Sequence, residues 1–130
     1  MTDQDVTIVV VDDDPSVRRA LDRLLRSAGY RVEVFESVRE FLLNGDFQRA
    51  SCLVLDVRMP GPNGLELQRL LTEAGRHIPI IFITGDGDVA TAVRAMKAGA
   101  IDFLSKPLDE QELFSALEQA LARRRGATQG

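Results

Sequence analysis

The chain is expected to fold as an α/β domain, a five-stranded parallel sheet wrapped on both faces by five helices. Two observations predict this. Short apolar runs alternate five times with amphipathic stretches, the order that right-handed crossovers convert into a doubly wound sheet. Three of the runs are nearly continuous in Val, Ile, Leu and Phe, as parallel strands covered on both faces require. A length of 130 residues suits a single core.

The first run is VTIVVV (6–11). It passes through three aspartates into a stripe of Val17, Ala20, Leu21, Leu24, Leu25 and Ala28, spaced for one face of a helix. Gly29 offers the left-handed residue that ends such a helix. The second run is RVEVF (31–35), and the helix after it opens with a capping box from Ser37 to Glu40 and reaches Asn44-Gly45. The third run is CLVLDV (52–57); its helix follows Asn63-Gly64 and carries Leu65, Leu67, Leu70 and Leu71. The fourth run is IPIIFIT (78–84), with a helix from near Asp88 carrying Val89, Ala92, Val93 and Met96 and stopping at Gly99. The fifth run is IDFL (101–104). Its helix starts at Asp109, spaced for reciprocal capping with Glu112, and is expected to bury Leu113, Ala116, Leu117, Ala120 and Leu121. These elements fill residues 1–124 as one domain, and 125–130 should be a flexible tail or the start of a linker.

Composition narrows the function classes. The hydrophobic fraction of 45% and charged fraction of 28% are those of a water-soluble domain. No apolar run has the length of a bilayer span, and MTDQDV lacks the pattern of a secretory leader. The single cysteine, Cys52, begins an apolar run and is expected in the core. Together these point to a cytoplasmic domain. The net charge of −4 argues against a nucleic-acid surface. The one basic cluster, Arg123-Arg124-Arg125, suits a helix C-terminus or a linker better than DNA.

Ligands of open α/β sheets bind beyond the carboxyl ends of the strands. The first run ends in Asp12, Asp13 and Asp14, the third in Asp56, and the fourth in Thr84 followed by Gly85-Asp86; Ser105, Lys106 and Pro107 follow the fifth. Asp14 precedes Pro15, and that pairing marks a helix start, so Asp14 is assigned to capping. Asp12 and Asp13 remain as an acidic pair beside Asp56. Carboxylates gathered at one edge call for a hard cation such as Mg²⁺. A lysine and a hydroxyl nearby add donors to phosphoryl oxygens. Such a set suits phosphoryl chemistry, with an aspartate as a possible nucleophile.

Four stretches, VVVDDDPSVRRAL, LDVRMPGPNGLEL, IFITGDGD and KAGAIDFLSKPL, occur in the order and spacing of a known family. Over nearly its whole length the chain resembles the receiver domain of two-component response regulators. The wording of the last three stretches is most similar to the FixJ-type branch, of the LuxR class, whose members usually carry a C-terminal helix-turn-helix.

The resemblance implies a flavodoxin-like three-layer sandwich with strand order 2-1-3-4-5. It implies that Asp56 accepts a phosphoryl group from a sensor histidine kinase, with Mg²⁺ or Mn²⁺ bound by Asp12, Asp13, Asp56 and the backbone carbonyl of Arg58. Asp13 is the expected direct ligand. Lys106 pairs with Asp56 or its phosphate, and the Lys106–Pro107 bond is cis. Thr84 and Phe103 form a switch pair: the hydroxyl is drawn to the phosphoryl group and the ring fills the space it leaves. Phe103 in its resting state reads equally as an inward core aromatic or as an outward one. The remodelled surface is that of helix four, strand five and helix five, and a phosphorylation-dependent homodimer through helix four and strand five is expected. Two further positions, Arg58 and Asp86, flank the phosphoryl site and are expected to tune the lifetime of the modified state. The chain is read as a phosphoacceptor that assists its own phosphotransfer and slow dephosphorylation, and not as an enzyme in the sense of turnover.

Other readings are weaker. A haloacid-dehalogenase-type phosphatase needs a second acid two residues after its nucleophile, where this chain has Arg58. A phosphorylation-independent interaction module need not retain the full set of site residues. Three acids after strand one would repel a flavin phosphate. His77 precedes the fourth run and reads as surface; Asp86-Gly87-Asp88 lacks the other ligands of a calcium loop. Met59-Pro60 and Gly64 read as turn chemistry, and Gly85 as space for the phosphodonor.

Overall fold

The computed structural model describes residues 6–59, 63–85 and 89–129, with side chains described through Arg123. The elements are β1 (Thr7–Val11), α1 (Pro15–Ser27), β2 (Arg31–Phe35), α2 (Val38–Asn44), β3 (Ala50–Asp56), α3 (Gly64–Glu73), β4 (Ile80–Thr84), α4 (Val89–Lys97), β5 (Asp102–Ser105) and α5 (Glu110–Gln129). The strands form one parallel sheet in the order β2-β1-β3-β4-β5, as the resemblance implied.

Each strand sends alternate residues to opposite faces. Ile8, Val10, Cys52, Val54, Ile81 and Ile83 meet Leu21 and Leu25 of α1 and Leu113 and Leu117 of α5. Val9, Val11, Leu53, Leu55 and Phe82 meet Phe41 of α2, Leu67 of α3 and Ala95 of α4. The central strands β1, β3 and β4 are buried along their whole length, the reason their sequences run apolar without alternation. Each fully buried Leu, Ile or Phe contributes roughly 1.5–3 kcal/mol, so these two layers dominate the fold's stability.

Caps fix the helix starts. Asp14 accepts a hydrogen bond from the Ser16 amide at 2.8 Å with Pro15 beginning the helix. Ser37 accepts from Glu40 at 3.0 Å, Asn63 from Glu66 at 3.0 Å, and Asp109 from Gln111 and Glu112 at 2.8 and 3.2 Å. Gly29, at φ +95°, ends α1 in the left-handed conformation.

Several expectations need correction. The apolar stripe of α1 is narrower than its spacing suggested, because Ala20 and Ala28 are exposed. Leu70 of α3 is also exposed. In α4 the bulky stripe faces outward: Val89 is 76% exposed, and Val93 and Met96 are each 44% exposed. The helix lies on the sheet through its small residues instead, with Ala95 buried and Ala92 half-buried, an approach that larger side chains would hold off. Ile78 and Pro79 stand outside β4, where the proline ring has no N–H for the ladder. Helical backbone continues through residues 125–129 as part of α5, the stretch the sequence reads as a flexible tail or the start of a linker. Among the described residues, no helix is long and apolar enough to cross a membrane.

Candidate functional site

Strand register brings the acids together. Val11 lies opposite Leu55 in the β1–β3 pairing, so the next residues, Asp12 and Asp56, emerge side by side at the carboxyl edge. Asp56 pairs with Ile83, and Thr84 with Ser105. The Lys106 amide donates to the Thr84 carbonyl at 2.7 Å, and the following Lys106–Pro107 bond is cis.

Lys106 stands between the two buried carboxylates. Its Nζ lies 2.8 Å from Asp12 Oδ2 and 3.0 Å from Asp56 Oδ2. Asp12 is fully buried and Asp56 nearly so. The remaining oxygens are held by backbone: Asp12 Oδ1 accepts from the Asp14 amide at 2.8 Å, and Asp56 Oδ1 from the Arg58 amide at 2.9 Å. The contact between Lys106 and Asp12 Oδ2 is an ion pair without the direction of a hydrogen bond, and that buried oxygen has no hydrogen-bond donor.

These surroundings set the charges. Burial raises the Asp56 pKa; the Arg58 amide and the Lys106 ammonium offset part of this, while the Asp12 charge adds to it. Burial also opposes the charge on Lys106, but Asp12 and Asp56 outweigh it and hold the ammonium's pKa above its ordinary value.

Asp13 is exposed at the rim, and one oxygen from each of Asp12, Asp13 and Asp56 falls within 4.8 Å of the others. Three carboxylates facing one ammonium leave an excess of negative charge. The donor set is all oxygen, and the buried Asp12 Oδ2 has the Lys106 ammonium beside it but no backbone donor. Both features fit a hard divalent cation of the Mg²⁺ type.

The rest of the site is built by close approach. A Cβ on Gly64 would lie 2.9 Å from the Asp56 carbonyl oxygen and from the Phe82 ring, so Gly64 serves the site by letting α3 start against the acceptor strand. Among the described residues, nothing lies within 4 Å of a Cβ added to Gly85. Thr84 is fully buried; Phe103 is half-buried, its ring centroid 6.2 Å from that of Phe82. The structure thus brings together Asp12, Asp13, Asp56, Thr84 and Lys106, and places the Arg58 backbone beside them. Asp86, Pro60 and Asp88 lie outside the described residues. His77 is exposed ahead of β4. Cys52 is sealed in the core with its thiol pushed up to about 12 by burial.

One residue near the site was missed in the sequence: Arg18 of α1, whose Nη1 donates to the Asp12 carbonyl at 2.7 Å. An arginine one helical turn past an acidic loop was the available signal.

The parallel sheet is the middle layer of a three-layer α/β/α sandwich, with a lysine spanning two carboxylates at its carboxyl edge. Residues 8–118 match the family described as response regulator receiver domain, and the chain belongs to that family. It is 51% identical over 121 residues to response regulator protein TmoT of Ectopseudomonas mendocina, covering 93% of this chain and 55% of that protein. It is 44% identical over 120 residues to transcriptional regulatory protein FixJ of Azorhizobium caulinodans, covering 92% and 57% respectively, which agrees with the FixJ-type branch. The solved structure of response regulator StyR superposes with a TM-score of 0.86 at 53% identity, covering 96% of this chain and 65% of that one. The chain spans about half the length of the curated relatives it matches.

Proposed function

We propose that this domain is a phosphorylation-controlled switch in which Asp56 accepts a phosphoryl group from a sensor histidine kinase in the cytoplasm. The observation that carries the reading is the placement of Lys106 against both Asp12 and Asp56 at an oxygen-lined edge. Asp12, Asp13, Asp56 and the Arg58 carbonyl would hold Mg²⁺ or Mn²⁺, with Asp13 a direct ligand. When bound, the ion neutralises charge on the phosphoryl oxygens.

The chain's own residues do the rest. The ionised Asp56 carboxylate attacks the phosphorus of a phosphohistidine; the new O–P bond forms as the N–P bond breaks, and the imidazole leaves. Lys106 keeps its charge and neutralises the transferring oxygens. Gly85, with no side chain, leaves access for the donor. The Thr84 hydroxyl then turns to the phosphoryl group, and Phe103 moves into the vacated volume. Phosphate acts by binding the active conformation more tightly; a shift from almost fully inactive to almost fully active needs roughly 5.5 kcal/mol of differential binding.

The outward apolar side chains of α4 lie on the surface expected to respond, and they support a phosphorylation-dependent homodimer through α4 and β5. Transcriptional output would belong to a DNA-binding domain outside this chain, consistent with the FixJ likeness, and this domain itself contacts neither DNA nor membrane. Receiver domains are phosphoacceptors, and slow self-dephosphorylation is the only chemistry assigned beyond acceptance. Arg58, with Asp86, would shield the phosphoryl group from water; Arg58→Ala is then expected to lose phosphate faster than wild type, and an unchanged rate removes that role. The domain is assigned to residues 1–124, with 125–130 a tail or the start of a linker.

The test is intact mass after incubation with acetyl phosphate and Mg²⁺. Wild type should gain one phosphoryl group, absent without Mg²⁺ and absent in Asp56→Asn. A folded wild type that gains nothing from acetyl phosphate or from a histidine kinase would replace this reading with a phosphorylation-independent interaction module.

A further inference from the structure

We propose that Arg18 is a positioning residue for the acidic pair, acting through the Asp12 carbonyl and not through its charge. The inference rests on the reading of Asp12, Asp13 and Asp56 as a divalent-cation and phosphoryl site.

Arg18 is the fourth residue of α1 (Pro15–Ser27), and the first turn of that helix contains no acid. A cation near a helix N-terminus meets the positive end of the backbone dipole, so helix stability does not account for it. Its side chain instead runs back past the helix start, and its Nη1 donates to the Asp12 carbonyl at 2.7 Å in a half-buried setting. Among the described residues no carboxylate forms an ion pair with it.

The other polar groups of Asp12 are already held. Its amide donates to the Phe35 carbonyl at 3.1 Å; Oδ1 accepts from Asp14 and Oδ2 faces Lys106. The carbonyl is the group left over where the β1 ladder ends, and Arg18 takes it. That carbonyl belongs to the peptide joining Asp12 to Asp13. Because the peptide is planar, fixing its oxygen fixes the direction in which Asp13 leaves the strand. Asp13 is exposed, so its backbone is what aims its carboxylate at Asp56.

Charge and positioning predict opposite signs. Removing a positive charge beside a cation site strengthens cation binding by Coulomb's law; removing a positioning bond weakens it. The measurement is Mg²⁺ affinity of the unphosphorylated domain, followed by backbone amide shifts in NMR. Arg18→Met is expected to weaken binding about tenfold, the lower end for residues that orient metal ligands. Arg18→Lys should recover most of this loss, since one ammonium N–H suffices to hold a carbonyl. Arg19→Met, the same charge change at the exposed neighbouring position, should not weaken binding. In metal-free protein, the Asp14 amide should exchange with solvent faster in Arg18→Met than in wild type, with denaturation midpoints confirming that both are folded. Equal or tighter Mg²⁺ binding by Arg18→Met, no recovery in Arg18→Lys, or an equal loss in Arg19→Met overturns the proposal. Failure of the underlying site reading looks different: wild type itself then shows no saturable response to Mg²⁺, and both ideas fall together.

Discussion

The ammonium of Lys106 spans the buried carboxylates of Asp12 and Asp56, 2.8 Å from one and 3.0 Å from the other. Two acids from neighbouring strands are thereby held at one edge that neither could share alone, and the lysine reaches them from a loop beyond the far edge strand.

Lys106→Met leaves the two carboxylates facing each other without their counter-charge. Loss of one partner of a buried ion pair costs about 2–3 kcal/mol here, below the full value for a sealed pair because Lys106 is partly open to solvent. Urea denaturation of metal-free protein measures this, and added Mg²⁺ is expected to restore part of it. The same substitution in an Asp12→Asn background should cost less, because one of the stranded charges is gone.

Asp56 ties stability to pH. Its folded pKa is raised above the ordinary 3.8, with burial the largest cause. Its contribution therefore favours the fold below the ordinary value and is lost as pH rises through the raised one. In metal-free protein at pH 7 the ionised side chain weighs against folding, so Asp56→Asn should be more stable than wild type. The advantage should vanish in acid. Denaturant midpoints of the pair, compared at neutral pH and near the ordinary carboxylate pKa, decide it. Lys106 adds nothing to this window: its raised pKa keeps its contribution intact up to its ordinary 10.5, and that contribution is lost as pH rises from there through the raised value.

Gly64→Ala should strain the junction between β3 and α3. Its Cβ would meet the Asp56 carbonyl oxygen and the Phe82 ring at 2.9 Å, and a backbone oxygen in a buried strand gives way poorly. Overpacking of this kind costs about 1–3 kcal/mol. A denaturation midpoint shows the loss, and phosphorylation by acetyl phosphate should slow as the acceptor strand end shifts. Wild-type values for both would mean that α3 moves aside freely.

Val93 and Met96 of α4 face solvent. Val93→Asp or Met96→Glu should leave monomer stability within about 0.5 kcal/mol, as exposed substitutions usually do. Either change should abolish the dimer expected on phosphorylation, read by sedimentation. Equal sedimentation of wild type in both states would remove the dimer itself.

Cys52 should be chemically silent. It is fully buried with its thiol pushed up to about 12, and thiolate is the reactive form. A thiol reagent should label it only as fast as the domain unfolds.

How much of this was legible follows from the range of the interactions. The caps at Asp14, Ser37 and Asp109 depend on bonds to amides two or three residues away, so a short window of sequence contains the whole interaction. Strand identities in β1, β3 and β4 were equally plain, because strands buried on both faces have no polar phase to hide in. The site's members could be named from their places at strand ends, and their roles by likeness to a family.

By itself, then, the sequence determined the alternation of strands and helices, the caps, and the set of acids, hydroxyl and lysine gathered at one edge. Only the tertiary structure decided which faces were buried and which atoms met. The α4 stripe looked like a core face, yet Ala95 is what lies on the sheet, since periodicity marks an amphipathic face without saying what covers it. Gly64 looked like a turn residue until the Asp56 carbonyl was found against it. The bridge from Lys106 to Asp12 and the reach of Arg18 back to the Asp12 carbonyl depend on strand register and helix placement. Those are set by packing across the whole domain, between residues too far apart in the chain for any local pattern to connect.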